Sequence, residues 1–241
     1  MDHALCLALA TILLVCVGGC AAPQAVSPYA QWPNGPSADE EYFPIMVWAQ
    51  DVELAPRYKA IGVNTYMALW QGPTEEQLTV LKKHGMRAIC EQNEVGLAHV
   101  DDPVIIGWMH SDEPDNKQGD DKKAVPAEKV IADYLQIKAL DPTRPVIVNL
   151  GQGVANEEFR GRGIGYNMYP EYIRGADIVS YDVYPVANFK SSDAEGNTIR
   201  RGDGVEHLYL VARGLERLKT WSGGDKPLWN GLDFQKGKII P

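Results

Sequence analysis

The chain has 241 residues, 45% of them hydrophobic and 23% charged, with a formal net charge of −9. That length and apolar content suit one α/β barrel or a smaller α/β domain with a real core. Acidic residues outnumber basic ones 32 to 23, and no basic cluster is longer than a pair. This excludes nucleic acid as a partner, because phosphate binding needs concentrated Lys and Arg.

In chain order, Ala4 to Val17 comes first, an apolar stretch without charge. It is shorter than the roughly 20 apolar residues of a membrane span and matches the apolar region of a secretory signal. The run Val17-Gly18-Gly19-Cys20 that closes it resembles a bacterial lipobox. The resemblance implies lipidation at Cys20 and anchoring of the exported protein in the bacterial cell envelope. Against a strong signal, Met1-Asp2-His3 carries no Lys or Arg, and plain secretion is the competing expectation. Residues 1–20 are thus predicted to be a signal, 21–41 a Pro-, Ala-, Ser- and Gly-rich flexible tether, and 42–241 a barrel domain. With Cys6, Cys16 and Cys20 inside or ending the signal, Cys90 is the one cysteine of the body, and a buried thiol is expected there. No disulfide framework and no zinc-like spacing follow, and no metal or organic cofactor is implied.

The body alternates short apolar runs with helical stretches, the rhythm of βα units and a parallel sheet. The runs are 43–48, 63–70, 86–90, 104–109, 146–150, 177–185 and 227–233. Between them, helices are predicted over 54–60, over 128–140 and around 205–221, with a helical turn at 169–175. Another helix begins at the capping box Thr74-Glu75-Glu76-Gln77 and stops at His84-Gly85. The loop 151–165 is rich in glycine but matches no phosphate-binding fingerprint. Seven strand-helix runs predict a (β/α)8 TIM-type barrel that is incomplete, cut off before its eighth strand. A seven-stranded barrel would leave a sheet edge unpaired.

The fourth run, Val104 to Pro114, carries the most information. An apolar strand runs onto the adjacent carboxylates Asp112 and Glu113 and ends at Pro114, which cannot donate to a ladder. The carboxyl ends of parallel strands are where such folds place their chemistry. Two bland alternatives stand beside this reading: Asp112 as the cap of a following helix, and Glu113 as a solvated loop acid. His110 either lines the same pocket or packs in the strand. The other strand ends carry Trp48, Trp70, Glu91, Asn149, Tyr181, Asp182, Tyr184 and Trp229. In a barrel these converge on one rim, where aromatic faces stack on pyranose rings and acids and amides bond hydroxyls.

Lys226-Pro227-Leu228-Trp229, the run from Gly107-Trp108 to Glu113-Pro114, and Gly62-Val63-Asn64-Thr65-Tyr66 resemble strands of the clan-A type of (β/α)8 glycoside hydrolases. The resemblance implies a carbohydrate substrate, an acid/base glutamate at Glu113 and a nucleophile at the end of the seventh run. The residue there is Asp233, where the group has glutamate, and Asp112 stands where the group has asparagine. Two alternatives remain open. Asp112 and Glu113 together match the pair used by substrate-assisted N-acetylhexosaminidases, with Asp112 orienting the acetamido group and Glu113 protonating. The other is a non-catalytic, surface-anchored glycan-binding protein.

Overall fold

A computed structural model describes residues 27–120, 122–184 and 208–232, together with the backbone of 190–192 and 198–200. Six strands come first: β1 (Met46–Trp48), β2 (Thr65–Met67), β3 (Arg87–Cys90), β4 (Ile105–Met109), β5 (Val146–Leu150) and β6 (Ile178–Val183). A short antiparallel pair follows, β7 (Lys190–Ser192) with β8 (Thr198–Arg200), and then β9 (Leu228–Leu232). The sheet runs β1-β2-β3-β4-β5-β6-β9, every neighbouring pair parallel. Strand order follows chain order without reversal, which separates this winding from a doubly wound open sheet. All seven carboxyl ends therefore face one rim.

Helices α1 (Ala55–Ala60), α2 (Glu75–Lys83), α3 (Glu94–Ala98), α4 (Ala127–Leu140), α5 (Tyr169–Ile173) and α6 (Tyr209–Trp221) fill the connections. Both sheet faces are covered. On the inner face, Trp32, Met67, Ile89, Ile106, Met109, Ile147, Ile178 and Trp229 form one apolar cluster. On the outer face, one cluster around Tyr66, Leu78, Leu81 and Trp108 packs under α1 and α2, and a second around Val148, Val179, Tyr181 and Leu218 packs under α4 to α6. The period-2 alternation of a strand is plain in β6, where Ile178 points inward and Val179, Tyr181 and Val183 outward. Between β3 and β4 the register slips after Ala88, so that Ile89 pairs with Gly107. That bulge sets which side chains of the β4 end turn inward.

Most expected elements are present, shorter at their ends. The second run keeps only Thr65–Met67 as strand, because Ala68 takes φ +59° and turns the chain away; Ala49 does the same after β1 at φ +45°. The capping box of α2 is complete, Thr74 Oγ1 accepting from the Gln77 N–H and Gln77 Oε1 from the Thr74 N–H. Helix α3 and the β7–β8 pair were not anticipated. Asn93, expected as a polar strand end, caps α3 by accepting the Gly96 N–H at 2.8 Å.

The tether expectation needs correction over part of its length. Pro28–Gln31 form a 3-10 turn, and Trp32, only 7% exposed, enters the inner cluster. Trp229 Nε1 donates to Tyr29 Oη at 2.9 Å, and the Asn34 N–H to the Thr143 carbonyl at 3.2 Å. An aromatic side chain in a barrel floor fixes the backbone that carries it, so this segment belongs to the barrel. The predicted signal, Cys20 and Asp233 lie outside the described residues. Among the described residues no helix is long and apolar enough to cross a membrane.

Two buried devices hold the sheet to its surroundings. Arg144, 1% exposed, donates to the Ile105 carbonyl (2.8 Å), the Val100 carbonyl (2.7 Å) and Asp141 Oδ2 (2.8 Å), which also accepts from Trp108 Nε1 at 2.8 Å. Burial pushes the Asp141 carboxyl up, but hydrogen bonds from Thr143 and Arg144 outweigh it and hold the group below its usual range. On the outer face, Tyr181 donates to the Leu210 and Val211 carbonyls of α6 while its ring lies against Gly214. A Cβ on Gly214 would come within 2.2 Å of that ring. Gly214→Ala is therefore expected to lower stability by about 1–3 kcal/mol, measured by urea unfolding, because α6 must lift off β6 to admit the methyl.

Candidate active site

The rim over β4, β5 and β6 carries a layer of polar side chains directly above the inner apolar cluster. The strand pairing builds it. Asn149 and Ser180 are register partners, as are Ser180 and Trp229 one strand further on. Ser180 Oγ donates to Asn149 Oδ1 at 2.7 Å, which leaves the Asn149 amide free to donate to Asp112 Oδ1 at 2.9 Å. Asp112 itself is open to solvent. The next helix, α4, does not begin until Ala127, so Asp112 is a rim group and not a cap.

Glu113 follows in an unusual conformation. Its φ is +44°, a left-handed backbone that costs a non-glycine residue free energy and clusters at functional sites. The surroundings fix it there: its N–H donates to the Asn149 carbonyl at 3.0 Å, its carbonyl accepts the Asn116 N–H at 2.9 Å, and the Gln118 amide reaches the carbonyls of both Asp112 and Glu113. The turn sends the Glu113 side chain inward. Asn116 Nδ2 then donates to Glu113 Oε2 at 2.7 Å. Asn116 reaches this position because residue 151 is glycine, where a Cβ would meet the Asn116 amide at 2.4 Å.

Across the rim, the Asp182 carboxyl lies within hydrogen-bonding reach of the Glu113 carboxyl. Asp182 Oδ2 accepts from the Tyr184 hydroxyl, whereas Oδ1 is enclosed and has no donor. Burial first, and the Glu113 charge second, push the Asp182 carboxyl well above the carboxylate range. Burial and the Asp182 charge likewise push the Tyr184 phenol up, so it stays a donor.

A third acid stands behind the site. Asp115 is fully buried, accepting the Gly151 N–H at 2.9 Å and the Tyr169 hydroxyl at 3.0 Å. It joins the loop after β4 to the loop after β5 and to α5. Burial pushes it up to about 6.

Other expected contacts are placed elsewhere. Tyr181 faces outward into the α6 packing and does not reach the rim. His110 also faces outward, its Nε2 bonded to the Gly175 carbonyl at 2.7 Å, so it is a packed strand histidine. Trp229 lies in the floor, with its N–H taken by Tyr29. Trp48 ends β1, and Trp70 and Glu91 follow β2 and β3 on the same rim, with Trp70 72% exposed. Among the described residues no cluster of His, Cys, Asp and Glu is arranged to hold a metal ion. Asn116, Asp115 and Gln118 support the site without having been singled out for it by sequence; the one local signal for Asn116 was the glycine directly after β5.

No protein-family model matches this chain, and no curated protein sequence does either. Solved structures do. A GH2 beta-galacturonidase from Eisenbergiella tayi bound to galacturonate superposes with a TM-score of 0.50 at 18% identity, over 79% of this chain and 33% of that one. A beta-D-glucuronidase from Dictyoglomus thermophilum aligns at 0.47 and 15% identity, over 83% and 37% of the two chains. A Bacteroides uniformis beta-glucuronidase aligns at 0.46 and 15% identity, over 75% and 22%. The first of these shares its fold with this chain: seven parallel strands curled into part of a barrel, with helices in the connections. This chain spans about a third of the length of the first solved structures it matches.

Asp115 gives this region a pH dependence of known sign. An acid whose folded pKa is raised contributes stability at low pH that is lost as pH rises from the unfolded value through the folded one. For Asp115 that window runs from its ordinary 3.8 to about 6. Asp115→Asn keeps both partners and removes the titration, so its urea midpoint is expected to fall less between those pH values than that of the parent.

Proposed function

We propose that this chain is a glycoside hydrolase that cleaves a carbohydrate by carboxyl acid/base chemistry, with Glu113 as the acid/base residue. The observation that carries this reading is the strained turn at Glu113, φ +44°, which sets its carboxyl beside Asn116 and Asp182 on the polar rim of the parallel sheet. Asp112, held by Asn149, orients the sugar beside it. Trp48 and Trp70 offer stacking faces on the same rim.

Glycosidic cleavage needs two carboxyls standing about 5–9.5 Å apart on either side of the bond. Glu113 and Asp182 touch, so they are not that pair. The second carboxyl is assigned to Asp233, which follows Leu232 at the end of β9. This matches the clan-A pattern of an acid/base on the fourth strand and a nucleophile on the seventh. The lipobox-like Val17-Gly18-Gly19-Cys20 supports export and anchoring of the chain at the bacterial cell envelope through Cys20.

The test is turnover of aryl glycosides of neutral hexoses, 2-acetamido hexoses and uronic acids. Glu113→Gln is expected to lower kcat by about 10²–10⁴-fold, the usual worth of a general acid/base, while sugar binding measured by calorimetry persists. Turnover confined to 2-acetamido sugars and insensitive to Asp233→Asn would move the chemistry to substrate assistance by Asp112 and Glu113. Sugar binding with no turnover by the parent protein would replace the hydrolase reading with a glycan-binding one.

A further inference from the structure

Within the hydrolase reading, on which this step rests, we propose that Asp182 is a positioning residue that holds the site's transferable proton at rest and passes it to Glu113 for delivery to the leaving oxygen. The geometry assigns the proton. Asp182 Oδ2 is occupied by the Tyr184 hydroxyl, and Oδ1 is enclosed with no donor to it. An enclosed carboxylate oxygen with no donor is costly, whereas the same oxygen carrying a proton is satisfied by a facing acceptor. The facing group is the Glu113 carboxyl. Glu113 in turn accepts from Asn116 at Oε2, which leaves its other oxygen for the proton on Asp182. Two carboxyls in contact share one proton in preference to carrying two charges.

The charged and titratable groups around Asp182 agree with this assignment. From the loop after β4 it faces Glu113 and, further out, Asp112; on its own strand end it faces Tyr184. Its register partner on β9 is Gly231, which carries no side chain. Asp115 adds a further acid behind Glu113. Among the described residues, each of these charged neighbours is negative, and each favours a protonated Asp182.

The step balances as follows. The Asp182 O–H bond breaks as a Glu113 O–H bond forms. The Glu113 O–H bond then breaks as the glycosidic oxygen gains the proton and its bond to the anomeric carbon opens. Water supplies the hydroxyl of the new sugar end, and its second proton returns to the pair. The pair thus alternates between one negative charge and two.

The experiment is infrared difference spectroscopy on the full chain at about pH 8, above the range in which Asp115 titrates, with pH–rate profiles alongside. A protonated-carboxyl stretch is expected in the parent protein and in Asp115→Asn, and its loss in Asp182→Asn. Glu113→Gln, which removes the neighbouring charge and offers an amide donor, is also expected to abolish it, so the result does not hang on one variant. In kcat/KM, Asp182→Asn should shift the alkaline limb at least about one unit to lower pH, because the variant has no second carboxyl with which to share the proton. Absence of the band in the folded parent, or its persistence in folded Asp182→Asn, overturns the proposal whether or not the protein turns over sugars. A band that depends on Asp182 with no turnover on any glycoside upholds the shared proton as a ground-state feature and overturns its transfer role together with the hydrolase reading.

Discussion

The geometry of the rim depends on the buried guanidinium of Arg144. It lies at the entrance to β5 and bonds at once to the carbonyl at the start of β4, to the loop before β4 and to Asp141. β4 and β5 are in register over only Trp108–Val146 and Met109–Ile147. A pairing that short does not define its own register strongly. Arg144 supplies the definition from below, and Trp108 bonds the same carboxylate from the outer face. Buried ion pairs add little net stability but specify arrangement well. Here the arrangement specified is which β5 residue stands opposite Asp112. A slip of one residue would replace Asn149 with Val148 or Leu150 and turn an amide donor into a hydrocarbon.

The site above is built from groups that oppose one another locally. A left-handed glutamate, a half-buried aspartate and a buried Asp115 each cost free energy in isolation. Neutral donors offset that cost: Asn116 on Glu113, Asn149 on Asp112, Tyr184 on Asp182, and Tyr169 with the Gly151 N–H on Asp115. A cation on these acids would hold every one of them ionised. Neutral donors instead let burial and mutual repulsion set the charge, which suits the acid/base role proposed for Glu113.

Much of this was legible in the sequence, and the misses are informative. The β5 run 146–150 and the α2 capping box were readable because one has an unbroken β-branched pattern and the other satisfies its own backbone donors locally. The end of the β4 run before Pro114 was legible, but the left-handed turn at Glu113 was not, because a residue before proline is expected to be extended. The facing direction of His110 was not legible, since strand parity at β4 is reset by a bulge that no local residue announces. Asp182 was named as a sugar contact, but its partnership with Glu113 arises from the pairing of three strands far apart in sequence. Asn93 looked like a rim residue because a helix of only five residues leaves no periodic signature for its cap.

The hydrogen bond from Trp229 to Tyr29 joins residues 200 positions apart. Synthesis runs from the amino end, so Trp32 is made early and has no complete floor to enter until β9 exists. A contact of such sequence separation forms late and slowly. Until then the chain carries an uncovered indole, a handle by which holding chaperones can keep it open. Closure of the floor from the last strand marks the moment at which that handle disappears.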